Sequence, residues 1–348
     1  MTTAADATSS RAFATIGIAP TASKPERPML ARDADSMYWM ARYVERAEHV
    51  ARLLLVNSNV LIDVGDVAPA LQAQHWQGLL HILRVPALPE PKSEDQRDIA
   101  ARVAQHLTLD AENPNSIVSC LTRARENARG IRENISTEMW ENLNTLYWHL
   151  RGDDAHSRFE ESPDDLYRSV MTGSMLFQGL TDQTLAHDQR WLFAQLAKYL
   201  ERIDVTCRVI ETKFNILQVN QQTLESPIRN IHWMAVLRSC CSIEAYRRNY
   251  VGEMDPMHVV GFLILEKNFP RSIRFSLSGA LAAISVIRAG TQVGAIDPAE
   301  RILGRLEAQL EYAEVAEILS IGVPNYLQRI QAGINDAALA VQKSYFLH

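Results

Sequence analysis

Cysteine is scarce in this chain and follows no metal-binding pattern. Cys120, Cys207, Cys240 and Cys241 offer no C-x-x-C spacing and stand among apolar neighbours. That argues against zinc and for buried free thiols of a reducing, cytoplasmic setting. An adjacent Cys pair is a poor disulfide candidate. A glycine-rich phosphate loop, a dinucleotide fingerprint and Ser-His-Asp or Cys-His arrangements are all missing, so no cofactor is expected. No apolar run approaches the ~20 residues of a membrane span. Glycine and proline are few, at 15 and 14, and no β-branched alternating run stands out. A one-signed face is missing too. The formal charge is −6 with acids and bases mixed along the chain, which argues against nucleic acid or an anionic membrane as the main partner. The ten histidines are scattered, and most read as surface or half-buried residues.

What is there is helix. With 47% apolar and 22% charged residues the chain can fill one large or two modest cores. It reads as all-α, about a dozen helices in two tandem, duplicated halves. YVER at 43–46 returns as YLER at 199–202, so Glu48 matches Asp204 and Arg52 matches Arg208, each 156 residues on. NPNSIVSCLTRA from Asn113 and FPRSIRFSLSGA from Phe269 match at the same shift, and His75-Trp76 matches His232-Trp233 at 157. Several matches at one offset mark a tandem duplication.

The expected organisation is a disordered tail at 1–28, a first half at 29–150, a linker at 151–165 and a second half at 166–348. Helix one spans about 33–63 with Asp33 or Asp35 as cap. A second helix follows at 68–84, and Ser93-x-x-Gln96 is a capping box for a third. A long helix over about 115–150 contains Gly130, a position for a kink. Ser162-Pro163 opens a helix to about 180, and further helices follow at 188–222, 228–250, after Asp255-Pro256, from Pro270 to about 289, at 298–320 and at 324–345.

On helix one, at about 100° per residue, Met37, Met40, Val44, Ala47, Ala51 and Leu55 share a face, and Glu48 lies inside that stripe. Asp204 sits likewise among Leu200, Ile203 and Cys207. A buried carboxylate needs a partner. Glu48–Arg52 and Asp204–Arg208 are either solvated i,i+4 pairs, a buried ion network, or part of a ligand site.

Three polar clusters compete for chemistry. The first is Glu45, Glu48 and Arg52 with Glu201, Asp204 and Arg208. The second is Arg125, Glu126, Asn127, Arg129 and Arg132, with Glu138 and Asn142 beyond. The third is Glu244, Tyr246, Arg247, Arg248 and Asp255, then Arg271 and Ser272. Glu45-x-x-Glu48 and Glu201-x-x-Asp204 resemble raw material for a carboxylate-bridged metal, but di-iron bundles use Glu-x-x-His, His49 points away on this reading, and the arginines would repel a cation. No metal is expected. Anion or amino-acid recognition fits better. Arg271 lies at a Pro-initiated helix N-terminus, and Arg125, Arg129, Arg247 and Arg248 offer bidentate forks. The alternative is that these arginines clamp helix ends and acids of their own chain.

MLARDADSMYWMARYVERAEHVARLL, NPNSIVSCLTRARENARGIRENISTEMWENLN, LAKYLERIDVTCRVI, CSIEAYRRNY and FPRSIRFSL together resemble the alpha-E family of bacterial all-helical proteins, from about Met29 to the C-terminus. The resemblance makes Glu45 the best match to the family's characteristic glutamate. It also covers Arg46, Arg125, Glu126, Asn127, Arg129, Glu138, Trp140, Glu201, Arg202, Glu244, Tyr246, Arg247, Pro270, Arg271 and Ser272. NPNS stands where NPSS is more usual. The resemblance further implies company: a circularly permuted ATP-grasp ligase, with ATP-dependent amide-bond formation on a small peptide or amino acid. The leading expectation is an accessory or substrate-binding subunit, with Glu48, Asp204 and the second and third clusters binding substrate. One alternative is a free-standing enzyme with Glu45 or Glu201 as general base. The other is a non-catalytic scaffold.

Overall fold

Two long helices carry most of the buried charge, and the rest of the chain is wrapped around them. The computed structural model describes residues 29–64, 69–86, 88, 96–220, 224–252, 254–290 and 297–346, so the expected tail and the Ser93 capping box lie outside the described residues. Among these the chain forms fifteen α-helices and no strand. The chain begins with α1 (Ala31–Val64), α2 (Pro69–Ile82), α3 (Gln96–Thr108), α4 (Ile117–Gly130) and α5 (Thr137–Arg151). Next come α6 (Ala155–Glu161), α7 (Pro163–Thr184), α8 (Gln189–Val219), α9 (Ser226–Ser239) and α10 (Ile243–Asn249). The chain closes with α11 (Pro256–Leu265), α12 (Ile273–Gly290), α13 (Pro298–Glu311), α14 (Val315–Ile321) and α15 (Val323–Val341).

α1 packs against α4, α7, α8 and α9, and α8 against α1, α2, α12 and α15. The stripe read from the sequence is buried, with Met37, Met40, Val44, Ala47 and Ala51 all inaccessible. On α8 every residue from Leu192 to Phe214 except Tyr199 is buried. A helix surrounded on all sides normally reads as apolar all round. These two do not, so their polar groups must find partners within the protein.

Several expected boundaries move, for local reasons. The long helix at 115–150 is broken after Gly130. Ser136 is extended (φ −73°, ψ 160°) and its side chain accepts the Met139 N–H, so a fresh N-cap competes with continuation. The helix at 228–250 divides at Cys241, which has φ 53°. The span at 298–320 divides between Glu311 and Val315, and the 151–165 linker contains α6. Pro270 precedes rather than starts its helix, because Ser272 Oγ accepts the Phe275 N–H and caps α12. The Asp255 and Asp297 caps form as read, accepting from Met257 and from Ala299 and Glu300. Against the expectation of no membrane-length run, α12 is long and apolar enough by length and composition alone to cross a membrane. Its apolar residues Ile273, Leu277, Ala280 and Ile284 are buried, and the helix packs against α8 and α13.

Certain contacts recur at one spacing. Ser116 Oγ donates to Asp110 O and caps Ser119, while Ser272 Oγ donates to Glu266 O and caps Phe275. Asn57 and Lys213, 156 residues apart, are hydrogen-bonded directly, and His75 stacks on His232. The two non-glycine residues described with positive φ, Arg84 and Cys241, are related by the 157-residue shift of the His-Trp echo.

α12 approaches α8 closely at Gly279, where an added Cβ would stand 2.5 Å from the Tyr199 ring. Gly279→Val is therefore expected to cost about 1–3 kcal/mol, as overpacking does. The check is urea unfolding, with a lowered midpoint at unchanged slope.

Candidate functional site

The first polar cluster is a set of neighbouring ion pairs whose acids are buried on α1 and α8, with two exchanged pairs at its centre. Arg202 on α8 grips Glu45 on α1, Nε at 2.7 Å from Oε1 and Nη2 at 3.1 Å from Oε2. Arg46 on α1 grips Glu201 on α8 in the same bidentate way, at 2.7 and 3.0 Å. Each helix thus gives its glutamate to the other's arginine, from neighbouring positions in the two copies of the Glu-Arg dipeptide. A second guanidinium, Arg42, adds its Nε to Glu201 at 2.7 Å, and Gln178 reaches Glu45 at 3.4 Å. The arginines' remaining N–H groups tie in neighbours, Arg46 to Asn115 and Arg202 to the Pro270 carbonyl.

The flanking acids repeat the logic. Glu48 pairs with Arg52 one turn on and with Arg271 at 3.1 Å. Asp204 pairs with Arg208 at 2.8 Å and with Arg84 at 3.1 Å. Glu48, Glu201, Asp204 and Arg271 thus come together with Glu45, and the solvated-pair reading of Glu48–Arg52 and Asp204–Arg208 is replaced by a buried one. Seven guanidinium groups face four carboxylates in this network.

This changes what the glutamates can do. Burial by itself raises the Glu45 carboxyl, but Arg202, His49 and Arg271 outweigh it and hold the group well below the usual carboxylate range. Glu48, opposed in the same way by burial and drawn down by Arg271 and Arg52, falls to about 2. Arg46 and Arg42 lower Glu201 against its complete burial. A carboxylate held this firmly in its ionised form is a weak base near neutral pH.

His49 corrects the sequence reading. It is buried rather than turned away, with Nε2 at 3.4 Å from Glu45 and Nδ1 at 3.9 Å from Glu48. One atom from each of Glu45, Glu48 and His49 lies within 4.8 Å of the others. The donor set still does not suit a cation, because each of the four carboxylate oxygens already accepts from a guanidinium group. His75 and His232 are buried as well, against the expectation of surface histidines.

The second and third clusters lie elsewhere. Arg125 Nε donates to Asn144 Oδ1 at 2.6 Å, and its guanidinium stands over the rings of Trp140 and Tyr147 on α5. Glu126 pairs with Arg125 and Arg129, Asn127 caps back onto the Arg123 carbonyl, and Glu138 is exposed. In the third cluster Glu244 and Arg247 are exposed on α10, Tyr246 is buried against Tyr250 and Phe262, and Ser272 is a helix cap. Arg271 leaves that cluster for Glu48. Arg42 and Arg84 were not legible as members of the network, although Arg42 stands one turn before Arg46.

The Alpha-E family profile, described as a predicted alpha-helical domain with a conserved ER motif, matches residues 29–346. This chain belongs to the Alpha-E family. Glu-Arg occurs at 45–46 and 201–202, where the two copies exchange partners in this Alpha-E protein, and also at 26–27 and 300–301. Uncharacterized proteins of Mycobacterium bovis and Mycobacterium tuberculosis are each 24% identical over 322 residues, covering 87% of this chain. The chain spans 35% of the length of these curated relatives. No solved structure matches it.

The network sets an acid limit on stability. An unfolded glutamate takes up its proton near pH 4.5, whereas folded Glu48 holds out to about 2 and Glu45 and Glu201 are also depressed. Between those values the unfolded state binds more protons, so stability is fully present above about pH 4.5 and is lost as the pH falls toward 2. Urea midpoints across pH 6 to 2.5 are expected to fall steeply in this window, and less steeply in Glu48→Gln.

Proposed function

We propose that this Alpha-E chain is an accessory or substrate-binding subunit, working with a circularly permuted ATP-grasp ligase in ATP-dependent amide- or peptide-bond formation or modification. The observation that carries this reading is the state of Glu45 and Glu201. Both are buried and saturated by guanidinium groups, so the residues best suited to acid–base work serve the fold. Nucleotide activation and bond formation then belong to a partner. The lengths of the mycobacterial relatives support this, since roughly two thirds of each lies outside the region that matches this chain.

The surface of α4 and α5 supplies a recognition face. Arg125 is held between Trp140 and Tyr147, Trp148 is 59% exposed, and Glu126, Arg129 and Glu138 surround them with charge of both signs. Pre-ordered Trp, Tyr and Arg side chains are the groups that dominate binding energy at protein surfaces. A duplicated chain, 29–150 and 166–348 joined through 151–165, is part of the same reading. It is supported by the exchanged Glu-Arg pairs and by the Ser116 and Ser272 caps. A cytoplasmic site of action fits its four free thiols.

Co-purification with a circularly permuted ATP-grasp protein from the same organism, followed by ATP hydrolysis against an amino-acid panel, tests the proposal. A stable complex with raised amino-acid-dependent hydrolysis is expected, weakened about tenfold or more by Arg125→Ala. Absence of a complex together with unchanged hydrolysis contradicts it.

A further inference from the structure

A second buried polar cluster lies where α1, α2, α8 and α9 converge, and the ion network makes no use of it. Lys213 Nζ is 3.0 Å from Asn57 Oδ1 and 2.7 Å from His75 Nδ1, and the His75 ring stacks on His232 with centroids 4.4 Å apart. All four side chains are at most 3% exposed. Among the described residues no carboxylate is within ion-pair distance of Lys213, unlike every buried arginine of the network. His75 Nε2 and both ring nitrogens of His232 are buried without a hydrogen-bond partner, as is Oγ1 of Thr212, the residue before Lys213.

The two partners match a neutral amine when the His75 tautomer leaves Nδ1 unprotonated. A neutral amine has two N–H donors and one lone pair, whereas an ammonium has three donors. Asn57 Oδ1 and His75 Nδ1 are two acceptors. In that tautomer they accept both N–H groups of the amine and leave its lone pair unengaged. Burial acts in the same direction and lowers Lys213 to about 7. With Nδ1 accepting, neutral His75 carries its proton on Nε2. His232, lowered to about 4 by burial and by Lys213, is also neutral and offers one donor and one acceptor. A desolvated amine beside proton-transfer groups is the arrangement of an activated lysine nucleophile. A cleft of about 430 Å³, lined by Gln74, Gly78, Thr212 and Ile216, opens between α2 and α8 beside the sequence neighbours of His75 and Lys213.

We propose that Lys213 is an imine-forming amine whose Nζ adds to the carbonyl carbon of a small aldehyde or keto acid, with Asn57 and His75 orienting the nitrogen and His232 moving the protons. The lone pair forms the C–N bond as the C=O π pair moves to oxygen. The oxygen takes a proton from the imidazole, and the nitrogen returns one. In the second step the carbinolamine hydroxyl is protonated and its C–O bond breaks. Water leaves as the nitrogen lone pair forms C=N and the remaining N–H proton returns to the imidazole. Amine and carbonyl become imine and water, with no change of oxidation state. The dry surroundings of Lys213 disfavour hydrolysis of the product.

The test uses the full chain at pH 7 with glyoxylate and, separately, propanal, in the presence of cyanoborohydride, which reduces each imine to a stable secondary amine. Adducts are located by peptide mapping. The chain has six lysines. Lys267 and Lys343 are exposed and serve as references, and buried Lys198, held by Gln195, serves as an internal control. At least one of the two probes is expected to label Lys213 ten times faster than Lys267 or Lys343, and Lys213→Arg removes that adduct alone. A smaller preference with both probes, or an unmodified Lys213 while the exposed lysines react, overturns the proposal. The map of the unaltered protein decides this even if the variant fails to fold.

Discussion

The exchange of glutamate and arginine between α1 and α8 is the constraint on which the rest of this structure depends. Both helices are buried on nearly every side, and both carry several charges inside. Taking such charges out of water costs several kcal/mol each, and their attraction repays this only when geometry and hydrogen bonding are close to complete. Bidentate pairs at 2.7 to 3.1 Å, completed by Asn115 and the Pro270 carbonyl, meet that condition. A slip of either helix by one turn would separate Glu45 from Arg202 and Glu201 from Arg46 together. Hydrophobic contacts alone tolerate such slips far better, so the network's main effect is to define a single register.

That constraint bears on function. Residues that look catalytic in a linear reading, an acid beside an arginine on a helix, are committed to each other across the helix pair. The groups not committed to that pairing are the Arg125–Trp140–Tyr147 face, built on α4 and α5, and the buried Lys213 amine, which has no acid partner among the described residues. The contrast within α8 is instructive. Arg202 and Lys213 are both buried, but one is neutralised by a partner and the other by its surroundings.

Much of the fold was legible in the residues. The apolar stripe of α1, the Glu48–Arg52 and Asp204–Arg208 spacings and the Asp255 and Asp297 caps are local properties, set within a turn or two of helix. Ser136 was legible in principle, since a Ser followed by Thr and Glu after a glycine is a cap signal, but the apolar periodicity on either side masked it. His49 lies one turn after Glu45 and so on its side of the helix, a signal present in the spacing but set aside. What no local pattern contained was which helices cross. The partner of Glu45 is 157 residues away, and Arg271, the partner of Glu48 just ahead of α12, is 223 residues away. Nothing in either segment alone distinguishes an acid waiting for substrate from one already paired.

The most direct test is a double-mutant cycle on the exchange itself, with unfolding free energies measured for the parent, Glu201→Gln, Arg46→Met and the double variant. Removing Glu201 leaves Arg42 and Arg46 buried without their acid, so the single change is expected to cost about 3–5 kcal/mol. The double variant is expected to be less damaged than the sum of the singles by more than about 1 kcal/mol. Additivity within about 0.5 kcal/mol, with each single change costing little, would contradict the view that this pairing holds the two helices in register.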